Sequence, residues 1–72
     1  MKISKDLKKA VKEAASELSP NNKKVLLEKP FNGAYVTSDS EQRDKSSGEF
    51  SFTDVGLERE GNFFLCLDGI ME

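Results

Sequence analysis

The sequence predicts an α+β fold: one N-terminal amphipathic helix packed on a small antiparallel sheet of about three to four strands. Three observations predict it. A helical stripe of apolar residues runs through Ser4–Leu18, period-two patterning returns after Gly48, and a hairpin signal, Asn32-Gly33, precedes a β-rich run.

Each element has a local reason. Leu7, Val11, Ala14 and Leu18 fall at i, i+4, i+7 and i+11, one face of a helix, with alanine, lysine and glutamate filling the remainder. Ser4 is placed to cap the first turn with its hydroxyl, and Asp6 suits the positive end of the helix dipole. Pro20 disfavours a helical Ser19, so the helix stops near Leu18.

Residues 20–30 admit two readings. Ser19-Pro20 can open a second, short helix over Lys23–Lys29, or Asn21-Asn22 can turn the chain into a strand, Lys24–Glu28, that Pro30 stops. Asn32-Gly33 followed by Ala34-Tyr35-Val36-Thr37 favours the strand. Thr37 to Gly48 is then a stretch without a large apolar side chain, expected as a solvated, mobile loop. Phe50 and Phe52 alternate with Ser51 and Thr53, and a phase slip towards Val55, Gly56 and Leu57 predicts a β-bulge there. Glu58–Asn62 reads as a turn, Phe63–Leu67 as the last strand, and Asp68-Gly69 as its end.

The helix stripe is expected to dock on Phe50, Phe52, Leu65 and Leu67. In the last strand Phe63, Leu65 and Leu67 point one way, Phe64 and Cys66 the other. One helix covers one face, so Phe64, with Tyr35, is expected beneath a second chain.

Composition bounds the rest. Residues 1–72 make one domain, short enough that its core supplies only about 3–5 kcal/mol. A single cysteine and no histidine exclude an internal disulfide and argue against a structural zinc. Association with a partner or with itself is the remaining source of stability. Residues 1–30 carry eight lysines against four acids, and residues 31–72 nine acids against three bases, so the net charge of −2 hides a two-signed field. The basic start Met1–Lys9 has no apolar run behind it, so neither a signal peptide nor a membrane span is expected, and an unpaired cysteine fits the cytoplasm.

Candidate chemistry is sparse. Lys5, Lys8, Lys9 and Lys12 fan over the helix away from its apolar stripe and offer phosphate contacts, but without arginine or interleaved aromatics they read first as a solvated face. The stripe lacks the Trp or Phe of a membrane-surface helix. Asp39, Glu41 and Asp44 have a loose calcium-loop spacing, yet Arg43 and Lys45 stand among them and no metal or other cofactor is expected. Cys66 has no base to activate it and reads as core filler. Glu58 and Glu60 lie in a turn with nothing to raise a carboxyl pKa, and no glycine loop is placed to cradle phosphate.

The expected function is therefore a small non-enzymatic protein-interaction module, an adaptor or inhibitor. Its partner surface would join Asp39, Glu41, Asp44, Glu58 and Glu60 to the aromatic side of the sheet at Phe64 and Tyr35. Such an acidic patch could also dock on a basic groove that normally holds nucleic acid. The alternatives are a nucleic-acid-binding module using the lysine face, and a homodimer whose uncovered sheet face is its contact.

Overall fold

The computed structural model describes residues 4–67, so Lys2 and the expected strand end at Asp68-Gly69 lie outside it. One helix, Lys5–Ser16 (α1), packs on a four-stranded antiparallel sheet of Lys24–Leu26 (β1), Tyr35–Thr37 (β2), Ser46–Ser51 (β3) and Asn62–Cys66 (β4), in the order β1-β2-β4-β3.

Ser4 caps α1 as its residue type suggests, its Oγ accepting the Leu7 N–H at 3.2 Å. After Glu17 the chain reverses through a tight turn in which Ser19 and Asn22 exchange backbone hydrogen bonds of 3.2 and 3.0 Å. Residues 24–26 take the strand reading rather than the helical one. β1 and β2 are joined through two successive turns, Glu28–Phe31 and Phe31–Ala34, with a cis peptide at Lys29–Pro30.

The layer between helix and sheet is the core. Leu7, Val11, Ala14, Ala15 and Leu18 meet Leu27, Ala34, Val36, Phe63 and Leu65 there, with Phe52 and Val55 closing one side. Phe63 is fully buried, its ring centroid 5.9 Å from that of Phe50 and 5.4 Å from that of Phe52. Phe50 and Leu67 are only partly buried at the margin.

Phe52 is not in a strand. Phe52–Val55 forms a 3-10 turn, and the bulge expected at Val55–Leu57 is absent there; Gly56 instead takes a left-handed conformation (φ 84°) as the turn's C-cap. The cause is a capping box: Ser51 Oγ accepts the Asp54 N–H at 3.2 Å, and Asp54 Oδ2 accepts the Ser51 N–H at 2.9 Å. The turn still delivers Phe52 to the core. The irregularity in strand pairing lies at the other end of β3, between Ser46 and Gly48, where Ser46 Oγ accepts the Gly48 N–H at 3.0 Å.

Strand order decides what covers the second face of the sheet. β2 and β3 are sequential in the chain but lie on either side of β4, so residues 38–45 must pass from one side of β4 to the other. They cross on the face away from α1. Thr37 belongs to β2, Ser40–Gln42 forms a 3-10 turn, and β3 begins at Ser46, so the connection is shorter and more structured than a loop spanning 37–48.

Candidate functional site

The crossover over β4 is built on buried polar anchors. Thr37 has no exposed surface; its Oγ1 donates to the Lys23 carbonyl at 2.7 Å and accepts the Asp39 N–H at 3.0 Å. Asp39 Oδ1 accepts the Glu41 N–H at 2.9 Å, capping the 3-10 turn. The Tyr35 hydroxyl donates to the Gln42 carbonyl at 3.1 Å, and the Arg43 guanidinium lies 4.9 Å from the centroid of the Phe64 ring. At the far end the Lys45 carbonyl accepts the Leu67 N–H at 3.2 Å.

This arrangement corrects the expectation at Tyr35, which its own chain covers. Tyr35, 6% exposed, and Cys66, fully buried, are sheltered within the same chain, while Phe64 is half-buried. The sequence, with one helix for two faces, pointed to a second chain there. A polar crossover does the work because its inward groups are hydrogen-bonded; among the described residues no buried side-chain nitrogen or oxygen lacks a partner. Tyr35 is thereby withdrawn from the surface. Burial, and then the neighbouring Cys66 thiol, push its pKa up to about 12.

The acidic residues do not form one patch. Asp39, partly buried, points into its own turn, while Glu41 and Asp44 stand exposed on the crossover. Glu58 and Glu60 flank Arg59 on the helix side of the molecule. Arg59 Nη1 donates to the Leu18 carbonyl at 2.7 Å, and its guanidinium lies 4.5 Å from the centroid of the Phe52 ring. The segment carrying Glu58 and Glu60 is thus tied to the helix layer through Arg59, apart from the crossover that carries Glu41 and Asp44.

The lysines do come together. Lys5, Lys8, Lys9 and Lys12 line one shallow hollow with Val55 and Gly56, between α1 and the 3-10 turn after β3. The other flank of α1 is acidic: Glu13 and Glu17 line a groove against β1, with Glu28 and Lys29 at its far wall. The two-signed field noted along the sequence thus recurs across the width of a single helix.

One surface residue escaped the sequence reading. Leu26 is 65% exposed, the exposed large apolar side chain among the described residues, and it sits on the outer strand β1. The signal was present in Val25-Leu26-Leu27: in a strand, Leu26 must face away from both neighbours, and α1 covers only their face.

Among the described residues no three His, Cys, Asp or Glu side chains are grouped to hold a metal ion, and no helix is long and apolar enough to cross a membrane. No protein-family model, curated protein or solved structure matches the chain.

Proposed function

We propose that this chain is a small non-enzymatic protein-interaction module, an adaptor or inhibitor in type, that engages a basic partner surface through the carboxylates of its crossover. One observation carries the reading. Glu41 and Asp44 are exposed on a segment whose neighbouring groups are fixed by the Thr37, Asp39 and Tyr35 hydrogen bonds. Side chains displayed on a pre-ordered backbone lose less freedom on binding, which favours recognition by charge complementarity. Phe64, half-buried beneath Arg43, supplies apolar area beside them. Glu58 and Glu60 form a second, separate patch. The free, buried Cys66 supports a core role for that thiol and suits a reducing compartment such as the cytoplasm.

The test is charge reversal. Glu41→Lys with Asp44→Lys abolishes capture of a nuclease-resistant protein partner from lysate of the source cell, while Ser38→Ala does not. Capture unaffected by the reversal overturns the reading.

A second reading has its own observation, the convergence of four lysines on one hollow. Nucleic acid bound there requires phosphate contacts alone, since the hollow presents no aromatic ring for stacking. A gel shift at about 150 mM salt with affinity no tighter than roughly 10⁻⁴–10⁻⁶ M leaves that reading at non-specific binding. A nanomolar complex lost on changing Lys5, Lys8 and Lys12 to glutamate establishes it instead.

A further inference from the structure

We infer that β1 is a homodimer edge, pairing antiparallel with β1 of a second copy about a two-fold axis at Leu26. This goes beyond the proposed function and uses a different surface.

The sheet has two outer strands, and they are not equivalent. β3 is disrupted by the bulge between Ser46 and Gly48, one of the devices that keep a sheet edge from pairing. β1 pairs with β2 without any register shift. The Leu27 N–H donates to the Ala34 carbonyl at 2.9 Å, which fixes the phase of the ladder. By antiparallel alternation Val25 then turns its N–H and C=O towards β2, and Lys24 and Leu26 turn theirs to the open edge. Lysines commonly guard such edges. Here the Lys24 ammonium lies over the Tyr35 ring of the neighbouring strand, 4.1 Å from its centroid.

The segment around Leu26 is self-complementary. With the two-fold at Leu26, the two copies of that residue face each other as a hydrogen-bonded pair, which covers the 65% exposed side chain. Lys24 then lies opposite the partner's Glu28, and Glu28 opposite the partner's Lys24, giving two opposite-charge pairs on one side of the sheet. On the other side Val25 meets the partner's Leu27. The partner's Lys23 comes opposite Lys29, a like-charge contact, but at a groove also lined by Glu13 and Glu17. A strand of three residues buries little area, so the dimer is weak and concentration-dependent.

The symmetry supplies a stringent test. Sedimentation or light scattering of the full chain from about 10 µM to about 1 mM shows a monomer–dimer equilibrium. Leu26→Glu raises the dissociation constant at least about tenfold, with unchanged circular dichroism. Lys24→Glu alone sets carboxylate against carboxylate, and Glu28→Lys alone sets ammonium against ammonium, so neither variant self-associates. Mixed together, the two associate with each other, because both pairs are then of opposite sign. A monomer throughout the range overturns the inference. So does a dimer indifferent to Leu26→Glu, or a pair of charge variants that do not recover on mixing.

Discussion

Phe63 and Phe64 are chemically identical neighbours, and the fold assigns them opposite fates. Phe63 is fully buried between Phe50 and Phe52, whereas Phe64 is half-buried on the other face beneath Arg43. Truncating a buried phenylalanine to alanine costs about 3–5 kcal/mol through lost transfer energy and the cavity left behind. A chain of this length has a total stability of about 4–11 kcal/mol at ordinary per-residue values. Phe63→Ala therefore removes about a quarter or more of that total and leaves the domain largely unfolded if its stability lies near the lower bound. At Phe64 roughly half the burial energy is at stake, with a small contribution from the guanidinium, together about 1–2 kcal/mol. Urea titration followed by far-ultraviolet circular dichroism suits a chain without tryptophan. Equal costs at the two positions, or a larger one at Phe64, would refute the assignment of faces and with it the crossover as a light cover over that side.

Two further predictions concern local devices. Tyr35 is held neutral in the folded state, its pKa pushed up to about 12 against an ordinary value near 10. The stability this provides is fully present below the unfolded pKa of about 10 and is lost as pH rises from there through about 12, amounting to about 3 kcal/mol. Phenolate absorbance lags behind that of the urea-unfolded chain over this window, and Tyr35→Phe removes the Tyr35 part of the alkaline stability loss at a cost of about 1 kcal/mol near neutral pH. Ser51→Ala opens the capping box that holds the 3-10 turn after β3, costing about 0.5–2 kcal/mol in the same urea titration. A cost near zero at Ser51 means that the core contacts of Phe52 and Val55 hold the turn alone.

Most of the fold was legible because its signals are local. The Ser4 cap, the Leu7/Val11/Ala14/Leu18 stripe and the alternation of Phe63, Phe64 and Leu65 each depend on residues within one element. What escaped depends on residues distant in sequence or on competing local chemistry. Phe52 reads as a strand residue by alternation with Phe50, yet Ser51 and Asp54 bond each other's backbone and turn the chain first. The candidate site was legible in composition and not in arrangement. Glu41 and Glu58 look alike in the sequence, and only the fold sets one on the crossover and the other on the segment tied to the helix layer. The lysines of α1 came through intact because a helix of fixed pitch carries them together.

The order β1-β2-β4-β3 explains how a sheet with one helix among the described residues gains cover on part of its second face. β2 and β3 are two strand spacings apart, about 9–10 Å, with β4 between them. Residues 38–45 span that gap across the face and so lie over Cys66 and Phe64. A segment without large apolar side chains covers this face because each inward group has a specific acceptor or donor, with the Tyr35 ring beneath it and the Arg43 guanidinium over the Phe64 ring. The division of labour follows residue by residue. Thr37 and Tyr35 bond inward and Asp39 caps its own turn, while Glu41 and Asp44 are exposed and accept none of these anchoring bonds. Reversing the exposed pair near neutral pH, where Tyr35 is uncharged, therefore probes chiefly recognition, while changing the inward residues alters cover and recognition together. That separation makes a loss of binding in Glu41→Lys/Asp44→Lys interpretable, provided the urea midpoint of the variant stays where it was.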